Sequence, residues 1–213
     1  MPVIVMPPFI VPQAATKVVA GTLLPRFGSA SAADGAPEAA GWTRVQNSNL
    51  DDSYMQSTSL FSLYVYGTNS TAVFGNSNSY LTIVGGSASL SPSLGSVNGI
   101  LVGTGDNSSQ RIYVFASDTI YRMRFEGMGI SGGSPGSSNL IWEITFVKPE
   151  GDTQFIEILI GNHSRLAGPF GYSGGGGKLV NGGTITPNQS YTIVTDGVGN
   201  NPVWTAGSHL EFA

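Results

Sequence analysis

The chain has 213 residues, enough for one domain or for one domain with an appendage. It contains no cysteine, which excludes disulfide bonds and thiolate metal sites. Only 10% of the residues are charged and the formal net charge is −4. Nucleic-acid binders carry a basic patch, so we expect no nucleic-acid partner. No apolar run approaches the roughly 18 residues of a membrane helix, so we expect no membrane span.

Residues 1–40 differ in composition from the rest of the chain. They hold six of the twelve prolines, which disfavour helices and central strands and favour an extended path. Proline also interrupts the first apolar stretch, and no basic residues precede that stretch. We therefore do not expect a signal peptide. We predict two parts: an extended Pro-rich assembly arm over residues 1–40 and a folded domain over residues 41–213.

An energy comparison indicates what the arm requires. Burying its dozen or so large apolar side chains is worth on the order of 20–35 kcal/mol. Ordering the backbone that carries them costs on the order of 27–50 kcal/mol. The arm therefore needs a surface that buries it well, and a neighbouring subunit is the expected one. A strand that folds back on its own domain is the alternative. The predicted binding residues of the arm are Val3, Ile4, Val5, Phe9, Ile10 and Val11.

From Trp42 onward the sequence has the pattern of short β-strands. Runs rich in β-branched and aromatic residues are bounded by Gly, Asn, Ser, Asp or Pro, and no window has helical periodicity. Many short strands joined by Gly/Ser turns predict an all-β fold, an antiparallel β-sandwich or jelly roll. The predicted strands are 60–66, 79–84, 99–102, 111–115, 121–126, 141–147, 154–160, 191–194 and 209–212.

The clearest alternation is in "YRMRFE", residues 121–126. Tyr121, Met123 and Phe125 point to one face of the strand, as expected of a half-buried strand. Arginine and glutamate alternate with them, and in "IWEITFV" Glu143 shares the face of Thr145. We expect these charges to form cross-strand ion pairs on a solvated face, worth less than about 1 kcal/mol each.

No motif selects catalytic or metal-binding residues. The carboxylates have no spacing typical of an acid/base pair, there are two histidines, and there is no Gly-x-Ser-x-Gly elbow. The loops "GTGDNSS" (103–109) and "TDGVGNN" (195–201) could supply oxygen ligands to calcium, but everyday turn chemistry is the favoured interpretation. We predict no enzyme, no cofactor, no metal ion and no catalytic residue.

The stretch "GYSGGGGKLV" (171–180) has the composition of a phosphate-binding loop without its spacing. Leu179 follows Gly177-Lys178 where a P-loop needs Ser or Thr, and no amphipathic helix comes after it. A loop between late strands is the favoured interpretation. The aromatic residues Tyr172 and Trp204 stand near Gly-rich loops, where they either stack on sugars or belong to the core, and both interpretations stay open.

Two segments resemble known structural modules. Residues 57–86 are similar to the strands that open certain extracellular β-sandwich modules. Residues 106–147, followed by "IEILIGNHSR", resemble a segment of virion structural proteins of tailed bacteriophages, especially those that infect cyanobacteria. The resemblance covers about residues 53–165, describes a strand pattern and implies no catalytic residue.

The resemblance implies a virion protein, made in the host cytoplasm. The expected role is a capsid decoration or cement protein, whose arm docks on the major capsid protein or on other virion proteins, with self-association between copies. The alternative is a tail-fibre or baseplate component that recognises host glycans through its aromatic residues and Gly-rich loops.

Overall fold

The fold is all-β, as predicted. The computed structural model describes residues 16–20, 41–46, 50–86, 92–104, 107–130, 140–161, 166 and 168–212, and this part of the chain contains strands and turns but no helix. The strands are β1 (Thr16–Ala20), β2 (Thr43–Gln46), β3 (Leu50–Asp51), β4 (Tyr54–Val65), β5 (Thr68–Asn76), β6 (Tyr80–Thr82), β7 (Gly99–Val102), β8 (Asn107–Ala116), β9 (Ile120–Ile130), β10 (Leu140–Val147), β11 (Thr153–Ile160), β12 (Phe170–Ser173), β13 (Leu179–Asn181), β14 (Ser190–Asp196), β15 (Val203–Ala206) and β16 (Ser208–Phe212).

Two antiparallel sheets form a β-sandwich. The larger sheet has the order β15-β14-β11-β10-β9-β8-β2, with β3 also paired to β8. The smaller sheet has the order β13-β12-β7-β6-β5-β4. Within β4–β7 and within β8–β11 each strand pairs antiparallel with the next, and short connections such as residues 66–67 between β4 and β5 match the turns expected from the sequence. The later strands then extend both sheets on the same side.

The core lies between the sheets and follows the predicted period of two. Tyr121, Met123 and Phe125 of β9 are fully buried in it. On β10, Trp142 points the same way and stacks on Phe125 with 4.0 Å between the ring centroids. The predicted inward faces of these two strands are therefore confirmed.

Two buried tyrosine hydroxyls join the sheets. The hydroxyls of Tyr121 and Ser57 lie 2.6 Å apart, which connects β9 to β4. The Tyr172 hydroxyl lies 3.1 Å from the Tyr64 carbonyl oxygen and 2.9 Å from that of Gly199. Burial raises the pKa of both phenols, so both stay protonated and able to donate.

A third, small sheet contains part of the predicted arm. β1 pairs antiparallel with β16 over five residues, from Thr16 opposite Phe212 to Ala20 opposite Ser208. We call these two strands the terminal ribbon. The sequence left two possibilities for the arm: binding to a neighbouring subunit, or folding back on its own domain. Thr16–Ala20 folds back on its own domain. The rest of the predicted arm, residues 1–15 and 21–40, lies outside the described residues.

Candidate functional site

The six predicted binding residues of the arm lie outside the described residues: Val3, Ile4, Val5, Phe9, Ile10 and Val11. The described part nearest to them is β1, which starts five residues after Val11. The terminal ribbon is therefore the described element nearest in sequence to the predicted binding residues, and it is the candidate site.

The outer half of the ribbon is held by backbone pairing and one group of charges. Lys17 is opposite Glu211, and its Nζ lies 3.2 Å from Glu211 Oε2. His209 Nε2 lies 3.6 Å from the other carboxylate oxygen of Glu211. The hydrogen bond and the charge of Lys17 lower the pKa of Glu211 below its ordinary value. The side chains of Lys17 and Val18 are exposed, so little apolar burial supports β1.

The inner half of the ribbon is fixed to the larger sheet. The Leu210 N–H donates a hydrogen bond to Glu157 Oε1 at 2.9 Å. The hydroxyls of Thr192 and Ser208 lie 2.8 Å apart, and both residues are buried. β16 therefore belongs firmly to the sandwich, whereas among the described strands β1 pairs with β16 alone.

On the outer face of the larger sheet, the expectation of solvated ion pairs is only partly correct. The predicted cross-strand pairing is present between Arg124 and Glu143, which lie 3.5 Å apart. Arg124 also lies 2.7 Å from Glu126 on its own strand, and Arg111 of β8 lies 3.4 Å from Glu126. The face is not solvated, however, because Arg124 is 1% exposed and Glu143 is fully buried. Glu157, on the next strand, is also fully buried.

Sequence reasoning missed the role of Glu157, although a signal was present. In "QFIEILI" its neighbours on the same face of the strand are Phe155 and Leu159, and two apolar neighbours indicate a covered face. A buried carboxylate needs a donor, which here is a backbone N–H of β16.

In the buried charge network, an arginine lies beside each carboxylate. Arg124 stands between Glu126 and Glu143, and Arg111 approaches Glu126 from the neighbouring strand β8. Two positive and two negative groups balance one another in a place with little water. The network connects β8, β9 and β10 on the outer face of the larger sheet.

The loop "TDGVGNN" is a turn stabilised by its own aspartate. Asp196 Oδ1 accepts hydrogen bonds from the N–H groups of Val198 and Asn200, and Oδ2 accepts one from the Asn201 amide. The turn interpretation is therefore confirmed for this loop. In "GTGDNSS", residues 105 and 106 lie outside the described residues.

The sequence left the roles of Tyr172 and Trp204 undecided, and the structure buries the two residues to different degrees. Tyr172 is fully buried in the core. Trp204 is half-buried, with its ring 4.9 Å from that of Phe170 and nearly perpendicular to it. Tyr172 therefore belongs to the core, and Trp204 packs against the core with part of its surface exposed.

The Gly-rich stretch connects strands β12 and β13 and is held against a neighbouring loop. The Gly175 N–H donates to Asn98 Oδ1 at 2.8 Å, and the Gly177 N–H donates to the Gly95 carbonyl oxygen at 3.0 Å. Gly176 and Gly177 have positive φ angles. A strand follows the loop, as expected for a connection between late strands.

A shallow groove of about 370 Å³ lies at the end of the sandwich where β4 and two turns meet. It combines aromatic residues, a lysine and small residues. Its lining is Phe61, Ser62, Tyr64, Lys148, Pro149, Gly151 and Gly197. Lys148 is exposed, so the groove offers one cation at its rim.

Comparisons with known proteins place the chain in no family. No protein-family model, curated protein or solved structure matches it. Within the described part of the chain, no helix is long and apolar enough to cross a membrane. Within the same part, His, Asp and Glu side chains form no group of three or more that could hold a metal ion.

Proposed function

We propose that the chain is a structural protein of a tailed-bacteriophage particle, made in the host cytoplasm and incorporated into the virion. Its role in this proposal is capsid decoration. The sandwich sits on the shell, and the apolar residues of the arm bind the major capsid protein or neighbouring copies. No catalytic step, cofactor or metal ion is part of the proposal.

The terminal ribbon is the observation that carries this proposal. It fixes Thr16 at the outside of the sandwich, with the six apolar residues of the arm just before it. Fifteen residues can span up to about 50 Å, so residues such as Phe9 come within reach of a neighbouring subunit. Anchoring one end of the arm limits the space it must search, which favours its binding to neighbours.

Exposed edge strands support association between copies. β13 ends the smaller sheet and β15 ends the larger one, on the same side of the sandwich. Leu179 of β13 is 45% exposed and Val203 of β15 is 62% exposed. Uncovered edges with apolar side chains pair readily with other chains. A low content of charged residues allows copies to pack closely.

The groove favours one second candidate, a host-recognition component of the tail. The half-buried Tyr64 lines it beside Ser62 and Lys148, and no atom lies within 4 Å of a Cβ placed at Gly151. Aromatic surface with a few polar groups is the usual composition of a ligand site. In this second proposal the groove binds a host glycan, and the arm attaches the protein to the tail.

The number of copies per particle distinguishes the two candidates. Capsid decoration predicts a copy number comparable with that of the major capsid protein, measured by quantitative mass spectrometry of purified particles. A copy number near that of tail proteins would contradict capsid decoration. Absence of the chain from particles would contradict both candidates.

A binding assay supplies a second, independent comparison. If the groove binds host glycans, the purified chain binds host cells, competes with phage adsorption, and loses this binding in the variant Tyr64→Ala. The variant Tyr54→Ala, which changes an exposed aromatic residue outside the groove, is the matched control. Capsid decoration predicts no competition from either variant or from the unchanged chain.

A further inference from the structure

We propose that β1 is exchanged between copies in the assembly, so that β1 of one copy pairs with β16 of a second copy. The partner is thus a second copy of this chain, and the surface is the free edge of β16. The inference rests on the proposed assembly role, since only an assembly supplies a neighbour at high local concentration.

The contacts that hold β1 can be transferred without loss. Those that the structure describes are five antiparallel residue pairs and the Lys17–Glu211 ion pair, which join β1 to β16. The same contacts form whether the two strands belong to one chain or to two. Exchange of an identical element is a low-cost route to oligomers for this reason.

The receiving strand stays in place when β1 leaves. Leu210 is 3% exposed and hydrogen-bonded to Glu157, and Ser208 is bound to Thr192. β1 itself has no such anchor among the described contacts, because Lys17 and Val18 are exposed. β16 is therefore a preformed pairing edge, and β1 is a detachable strand.

The connection to the sandwich is long enough for exchange. After β1, the next buried residue that the structure describes is Trp42, which is 4% exposed and packs on Phe115. Residues 21–41, rich in Ala, Gly and Ser, separate Ala20 from it, and a stretch of this length can reach on the order of 70 Å. Neighbouring copies on a shell come within this distance.

Concentration decides which pairing dominates. Linkage through residues 21–41 holds β1 near its own β16 at an effective concentration on the order of millimolar. In dilute solution the strand therefore pairs within its own chain, as the terminal ribbon does here. A neighbour fixed at a comparable local concentration competes with that pairing, so assembly favours exchange.

Disulfide trapping tests the exchange, because the chain has no cysteine of its own. One chain carries Lys17→Cys and a second carries Glu211→Cys. These exposed residues are opposite each other in the ribbon, with Cβ atoms about 5 Å apart in such pairs. The full-length chains are mixed at millimolar concentration, oxidised, and resolved on a non-reducing gel. Lys178→Cys, at an exposed lysine outside the ribbon, replaces Lys17→Cys in the control mixture.

Exchange predicts a Lys17→Cys/Glu211→Cys heterodimer yield several-fold above that of the control mixture. The yield is expected to fall on dilution. A yield equal to the control would overturn the exchange. A second pair of opposite positions, two residues further along the ribbon, is Val19→Cys with His209→Cys, and it must give the same result. Either result is independent of the copy number per particle, so failure of the exchange is distinguishable from failure of the proposed function.

Discussion

Glu157 accepts a hydrogen bond from the backbone N–H of Leu210 at 2.9 Å, and both residues are buried. One oxygen of a carboxylate in the third-last strand of the larger sheet thereby fixes the last strand of the chain. Because β16 pairs with β1, this contact and the Thr192–Ser208 hydroxyl contact together hold the strand that follows the six predicted arm residues. The attachment of the arm thus depends on a side chain far from it in sequence.

Replacing Glu157 by leucine should loosen the terminal ribbon. The Leu210 N–H would stay buried without an acceptor, and loss of a hydrogen bond to a charged group costs about 1.5–3 kcal/mol. Glu157→Gln keeps an acceptor oxygen, so its free energy of unfolding should fall by less. The measurement is the free energy of unfolding in urea, together with hydrogen exchange of the Leu210 amide. Glu150→Gln, at an exposed carboxylate, is the control. Equal stability of all the variants would contradict this role of Glu157.

Arg124→Met should destabilise the sandwich strongly. Arg124 lies between Glu126 and Glu143 at 1% exposure, and removing one partner from a buried ion pair costs about 3–5 kcal/mol. The double variant Arg124→Met/Glu143→Leu should recover part of the loss, because Glu126 keeps Arg111. Unfolding in denaturant measures the free energy of unfolding of the single and the double variant. A loss no larger than that of Lys178→Met, at an exposed lysine, would show that the network contributes little.

Gly99→Ala tests the close approach of β6 and β7. A Cβ at Gly99 would lie 1.9 Å from the carbonyl oxygen of Leu81, a backbone atom that cannot rotate away. We expect a loss of about 3 kcal/mol or more in the free energy of unfolding. Gly175→Ala is the matched control, since its nearest neighbour is 3.6 Å away, and should stay within about 0.5 kcal/mol. Similar stabilities of the two variants would contradict the register of β6 and β7.

The ribbon should respond to acid through Glu211. Its pKa in the folded chain is lowered by Lys17, so the ionised carboxylate stabilises the pairing. This contribution is complete above the ordinary value of 4.5 and is lost as the pH falls through the lower folded pKa. The backbone amide NMR shifts of β1 should titrate with a midpoint below 4.5, and Glu211→Gln should abolish the transition. His209 also faces the carboxylate, so His209→Gln serves as a second comparison. A midpoint at or above the ordinary value would contradict the ion pair.

Periodicity predicted the strands whose inner face is uniformly apolar. "GILV" corresponds to β7, and the alternation of "YRMRFE" and "IWEITFV" gave the inward faces of β9 and β10 correctly. β5 and β12 were missed because "TNSTAVFGN" and "FGYS" are rich in small and polar residues. Their positions depend on partners distant in sequence, such as β7 for β12, which local propensity does not report.

The candidate site was the least predictable part of the fold. β1, "TKVVA", lies in a segment whose proline content predicts no central strand. The structure agrees, because β1 is an edge strand. Its partner is at the opposite end of the chain, so no local pattern connects the two. Cross-strand pairing of the outer charges was predicted and is present between Arg124 and Glu143, but the prediction placed these charges in solvent. Periodicity separates two faces without showing which of them is covered.

Deletion of residues 1–15 tests the central claim most directly, that the apolar residues before β1 attach this protein to its assembly. The truncated chain keeps the ribbon and the sandwich. We expect its urea midpoint to equal that of the full chain, while its incorporation into particles, measured in competition with the full chain, is lost. Replacement of Val3, Ile4, Val5, Phe9, Ile10 and Val11 by serine should have the same effect. Incorporation of the truncated chain at the level of the full chain would contradict the account.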